Sequence, residues 1–261
     1  MKKTDEHVKN FYLTDEYIIK NPSFHVEDSP WKVEKIIPLV DRFISNYNKD
    51  EINLLDVGGG AGLILNAIST YIEESYGKKV NKYAVDLSPG MFEAQKKRNP
   101  DLKKALNEDI CKTSLGDKEI SLTLMIDLLE HVPNPTEALE EVKRISKFVI
   151  FKVPLENNFI LSIWSIIKRG KPRQRAIETY GHINVYNFDK LKYQIERHSG
   201  QILDYYFTNV FNYFLNSEHN KNNMKIRNKL INLVAVYIFK LSPKLCSLIF
   251  NDFVMILVKC Y

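Results

Sequence analysis

The stretch "LLDVGGGAGLIL", Leu54 to Leu65, places four glycines in five consecutive positions directly after an apolar run. Glycine weakens the interior of a helix or a strand, so such a cluster marks a turn. The residues before it, "INLLDV", read as a buried strand. The residues after it, "GLILNAISTYIEES", place Ile64, Leu65, Ile68, Tyr71 and Ile72 on one face of a helix. A glycine turn between a strand and a helix leaves backbone N–H groups free and lets a ligand approach the main chain closely.

Working outward from the turn, the same alternation continues. "KKVNKYAVDLS" reads as a second strand and "PGMFEAQKKRN" as a helix with proline in its first turn. "KKALNEDI" holds a short third strand. "ISLTLMIDLLEHV" holds a fourth, apolar on both parities as a central parallel strand would be. "PTEALEEVKRI" is the next helix and "KFVIFKVP" a fifth strand. "NFDKLKYQIERHSG" predicts a helix between a cap at Asn187 and a stop at Gly200. "QILDYYFTNVF" and the final "NDFVMILVKCY" complete seven strands. The pattern predicts an α/β fold, a doubly wound, Rossmann-like seven-stranded sheet with helices on both faces.

Four stretches divide the chain. Residues 1–50 form an N-terminal helical cap, in which "SPWKVEKIIPLVDRFISNY" is a helix that packs on the sheet edge or lids the site. Residues 51–158 are the core. Residues 159–187 are an acceptor-side insertion, an apolar helix followed by a basic loop, "KRGKPRQR". Residues 188–261 continue the same domain, with an apolar helical insert from about Met224 to Ile249 before the last strand.

Composition narrows the classes. The formal charge of +5 is too weak to argue for a nucleic-acid partner. Cys111, Cys246 and Cys260 have no metal-type spacing, and no metal site is expected. Reduced thiols, together with an N-terminus lacking an apolar signal core, lead to the expectation of a cytoplasmic protein.

Two frames test the glycine cluster against the dinucleotide fingerprint G-x-G-x-x-G. Its third glycine falls on Leu63 in one frame and on Leu65 in the other, so both fail. The pattern that fits is acidic-x-G-x-G-x-G, with Asp56, Gly58, Gly60 and Gly62. It resembles motif I of the class I S-adenosylmethionine-dependent methyltransferases, and the likeness extends from Asn53 to about Asn158. "VDLSPGM" is similar to the family's second-strand segment. The resemblance implies that Asp86 holds the ribose hydroxyls beside Leu87. "NEDI" then places Asp109 near the adenine amine and Ile110 against the ring. "MIDLLEHVPNP" resembles the fourth-strand motif and adds Asp127 to the cofactor set. The cofactor implied is S-adenosyl-L-methionine.

The acceptor is less legible. His131 follows the fourth strand, where open α/β sheets place their ligand crevice. His182, in "YGHINVYNF", lies in a region that helps form the acceptor pocket of similar enzymes. Either histidine suits deprotonation of a hydroxyl near neutral pH. The N/D-P-P-Y/F motif of base-modifying relatives does not follow the fourth strand. The expected partner is therefore a small-molecule acceptor with a hydroxyl group, not nucleic acid. The basic loop fits an anionic or lipid-linked acceptor, and the flanking apolar helices fit peripheral membrane contact. A catalytically inactive binding or scaffold protein is the alternative, disfavoured by the intact glycines and Asp86.

Overall fold

The computed structural model describes residues 10, 12–14, 19, 26–217 and 224–261. Most of the first 25 residues, half of the expected N-terminal cap, lies outside them. A short 3₁₀ turn, Val26–Asp28, leads into α1 (Ser29–Ile44). The order is then β1 (Glu51–Val57), α2 (Leu63–Tyr76), β2 (Lys79–Val85), α3 (Pro89–Arg98), β3 (Lys104–Leu106), β4 (Ile120–Ile126), α4 (Pro135–Ile145) and β5 (Ser146–Pro154). Beyond it come α5 (Phe159–Ile167), α6 (Lys171–Tyr180), α7 (Phe188–His198), β6 (Gly200–Phe207), α8 (Val210–Asn216), α9 (Ile226–Leu241), α10 (Pro243–Ile249) and β7 (Phe253–Cys260).

The strands form one seven-stranded sheet in the order β3-β2-β1-β4-β5-β7-β6. The first five are parallel, and β7 inserts antiparallel between β5 and β6. Every residue of β4 is buried, as its apolar character on both parities predicts. Alternation along β1 divides two cores. Leu55 and Val57 join the face covered by α4 and α7, while Ile52 and Leu54 join the face covered by α1 and α2. A smaller cluster gathers Trp31, Val210, Phe211, Ala235 and Cys246 under the C-terminal helices. The chain order reverses between β2 and β4 on either side of β1. That reversal is the switch point at which such sheets open a ligand crevice beyond the strand ends.

Three local readings are corrected. The basic stretch is not a loop throughout, because Lys171 opens α6 and only Lys168–Gly170 turn. Gly200 does not stop α7. Ser199 caps that helix, and Gly200 begins β6, where an added Cβ would stand 2.1 Å from the Lys259 carbonyl oxygen. The strand expected through Phe211 ends at Phe207. Asp252 accepts hydrogen bonds from the Asn209 and Val210 N–H groups and from the Thr208 hydroxyl, turning the chain into α8. Asp252 is distant in sequence, so nothing in "FTNVF" announces the turn. The apolar insert is two helices, broken where the Ser242 hydroxyl caps α10 ahead of Pro243.

Candidate active site

The turn after β1 is pinned by a hydrogen bond from Gly58 N to Val85 O, 2.8 Å, which ties it to the end of β2. Gly58 and Gly60 adopt φ of +65° and +54°, left-handed conformations that glycine takes without penalty. The sequence pattern passes over Gly59, yet space demands a glycine there. A Cβ would meet Asp56 Oδ2 at 2.0 Å. Gly62 differs from the other motif glycines because it does not line the cavity. It caps α2 at φ +72°, and Asn99 Nδ2 donates to its carbonyl at 3.0 Å.

Beyond the turn lies a cavity of about 350 Å³ at the C-terminal ends of β1, β2 and β4. Asp56, Gly58, Gly60, Asp86, Leu87, Asp109, Ile110 and Asp127 all line it. Asp56 is 1% exposed; burial, and then the neighbouring Asp86, push its pKa up to about 7. Burial raises Asp86 to about 6, although hydrogen bonds from Ser88 N, at 2.9 Å, and from Gly60 N pull it down. Asp109 Oδ1 accepts from Cys111 N at 3.0 Å, which fixes the carboxylate beside Ile110.

The opposite wall is built by long-range contacts. Asp127 stands at φ +51° and is bracketed by two lysines, Lys32 Nζ at 3.0 Å and the buried Lys152. Burial alone would raise its pKa, but Lys152 and then Lys32 hold it far below the usual carboxylate range. Lys152 in turn lies 3.5 Å from the centroid of the Phe253 ring.

Next to this ion group the backbone carbonyl of Glu130 accepts from Ile183 N and Asn184 N, both at 3.0 Å. Those bonds draw the segment after α6 onto the end of β4 and bring His182 beside His131, ring centroids 4.8 Å apart. His131 Nδ1 lies 3.0 Å from the Tyr12 hydroxyl, and His182 Nδ1 lies 3.0 Å from both Glu156 oxygens. Glu130 is 1% exposed and its Oε2 has no hydrogen-bond partner; burial, then Asp127, push its pKa up to about 8. One ligand atom each from Glu130, His131 and His182 lies within 4.8 Å of the others, a cluster that cysteine spacing could not reveal.

Both predicted histidines therefore line the same cavity as Asp56, Gly58, Gly60, Asp86, Leu87, Asp109, Ile110 and Asp127, the residues expected to hold the cofactor. Sequence reading missed Gly59, Tyr12, Lys32, Lys152 and Glu156. Gly59 alone had a local signal, as the remaining member of the glycine cluster.

The sheet order, the glycine turn and the crevice at the switch point make up an α/β, Rossmann-like fold with a ligand cavity beyond the strand ends. Residues 55–148 match the family described as a methyltransferase domain. No curated protein matches the chain significantly by sequence. Several solved structures share the fold. Geranyl diphosphate C-methyltransferase from Streptomyces coelicolor A3(2), in complex with Mg²⁺, geranyl-S-thiolodiphosphate and S-adenosyl-L-homocysteine, aligns at 8% identity and TM-score 0.56, over 86% of this chain and 76% of that one. Phosphoethanolamine N-methyltransferase 2 from Haemonchus contortus aligns at 13% and 0.55, over 87% and 52%. A (4+2) cyclase aligns at 11% and 0.53, over 85% and 80%. One fold thus serves different reactions, and the acceptor chemistry has to be argued from the site.

The residues present fit S-adenosylmethionine. The left-handed glycines bare the main chain where its amino-acid tail would lie. Asp86 offers a carboxylate to two vicinal hydroxyls, and Ile110 an apolar wall to a flat ring. No phosphate-binding lysine follows the turn.

Proposed function

We propose that this protein transfers the methyl group of S-adenosylmethionine to a hydroxyl oxygen of a small-molecule acceptor. The observation that supports this most is His182, which lines the cavity and whose Nδ1 is held by Glu156 behind it. The cofactor supplies an activated methyl on a sulfonium, and positioning an acceptor in line with such a group can account for roughly 7–11 kcal/mol of barrier reduction.

His182 takes the acceptor's proton. Glu156 engages Nδ1, so Nε2 is the nitrogen left for substrate, and the carboxylate stabilises the imidazolium that forms. Burial disfavours the charged ring, but Glu156, aided by Glu130 and Asp127, outweighs it and raises the His182 pKa. His131, held by Tyr12, and the buried Glu130 carboxyl flank the acceptor oxygen and fix its orientation. A hydroxyl acceptor needs such a base, because its proton must leave as the new bond forms. Basic α6 ends at Tyr180 on the cavity wall, which supports an anionic or lipid-linked acceptor and gives no reason to expect nucleic acid.

The test is methyl transfer from isotopically labelled S-adenosylmethionine to a panel of phenols, sugars and amines, with and without a chelator. Labelled ethers formed equally in both conditions support the reading. Methylamines as sole products, or activity that needs an added divalent cation, would assign the Glu130–His131–His182 cluster another role.

A further inference from the structure

The helices outside the catalytic core do not hide their apolar residues. α5, "FILSIWSII", has no buried residue; Trp164 is 49% and Ile166 78% exposed. α9 buries Ala235 alone, while Leu230, Val234 and Leu241 each expose more than half of their surface. α5 packs on α10, and α10 packs on α9, so these helices adjoin. An exposed apolar area of this extent marks an interaction surface rather than ordinary scattered hydrophobes.

Charge identifies what covers it. Residues 159–180 and 224–250 carry ten Lys or Arg against a single acidic residue, Glu178, in a chain with 32 acidic residues in total. Among the described residues Lys168, Arg169, Lys171, Arg175, Arg227 and Lys229 form no ion pair. Lys244 does pair, with Asp189 at 2.8 Å. A second copy of this surface would bring two sets of cations together, which disfavours self-association. A surface carrying negative charge over an apolar layer satisfies both features at once. The longest of these helices, α9, has 16 residues, and no helix of the described residues is long and apolar enough to cross a bilayer. The geometry is that of helices lying in the plane of an interface.

We propose that α5, α6, α9 and α10 form a docking surface for anionic lipid bilayers. Their cations meet the headgroups, and Trp164, Ile166 and Leu230 enter the boundary with the acyl chains. The same surface carries α6, whose last residue, Tyr180, lines the catalytic cavity. This proposal does not depend on the methyl-transfer reaction.

The experiment is co-sedimentation of the full chain with vesicles of phosphatidylcholine alone and of phosphatidylcholine with 30% phosphatidylglycerol. Trp164 fluorescence is followed in a Trp31→Phe background. Binding to the anionic vesicles at least tenfold tighter than to the neutral ones, weakened by salt and accompanied by a blue shift of Trp164, supports the proposal. Arg169→Glu/Lys171→Glu and, separately, Ile166→Glu/Leu230→Glu should each reduce binding about tenfold or more, with S-adenosylmethionine affinity by calorimetry reporting an intact fold. No binding to anionic vesicles overturns the proposal, as does equal binding to both compositions. A blue shift that follows protein concentration without vesicles would overturn it in favour of a second copy.

Discussion

Both carboxylate oxygens of Glu156 lie 3.0 Å from His182 Nδ1, although the two residues are separated by two helices in sequence. Glu156 lies two residues after β5, and His182 two residues after α6. Replacing His182 with Gln should lower kcat by roughly 10²–10⁴ while leaving cofactor affinity unchanged. Glu156→Gln removes the group that raises the His182 pKa, so the acidic limb of the kcat/KM profile should move to lower pH. A limb that stays in place, or moves up, separates His182 from the proton transfer.

Asp86 accepts hydrogen bonds from Ser88 N and Gly60 N, and the proposed reading gives it the two ribose hydroxyls. Hydrogen bonds to a charged group contribute roughly 1.5–3 kcal/mol. Asp86→Ala should therefore weaken S-adenosylmethionine about ten- to a hundredfold in calorimetry of the folded variant. Unchanged affinity would detach Asp86 from the ribose.

Stability without ligand should fall as pH rises. Asp56 has a folded pKa of about 7 against an ordinary 3.8, so between those values the folded state binds more protons than the unfolded one. The stability from that retained proton is lost as pH rises through the window, on the order of 4 kcal/mol by pH 8. Asp86, at about 6, and Glu130, at about 8, act in the same direction. Asp56→Asn should raise the apo-protein's melting temperature at pH 8 and leave it nearly unchanged at pH 4. A shift equal at both pH values would refute the linkage.

Asp127 pairs with both the buried Lys152 and Lys32, and Lys32 also pairs with Asp28 at 3.0 Å. Asp127→Ala leaves the buried Lys152 without its counter-ion, while Lys32 keeps Asp28, and should cost about 3–5 kcal/mol in urea unfolding. Lys32→Ala leaves the Asp127–Lys152 pair standing and should cost distinctly less. The reverse order would place the stabilisation elsewhere.

Much of the cofactor side was readable in advance, because its residues act near their own places in the chain. Strand, glycine turn and helix succeed one another within Glu51–Tyr76, and Asp86 is the first residue after β2. The acceptor side was readable only as residue types. His131 and His182 were legible as candidates, but neither Tyr12 beside the first nor Glu156 beside the second has any local signature.

The sequence by itself determined the α/β alternation, the glycine turn and the carboxylates around it, since periodicity and glycine's freedom operate over a few neighbouring residues. The tertiary structure decided which charges met. The Glu130 carbonyl captured the segment after α6, β7 slid antiparallel between β5 and β6 to set Phe253 over Lys152, and α1 delivered Lys32 to Asp127. Such pairings depend on burial and on backbone partners far along the chain, a property of the packed whole that no window of residues contains.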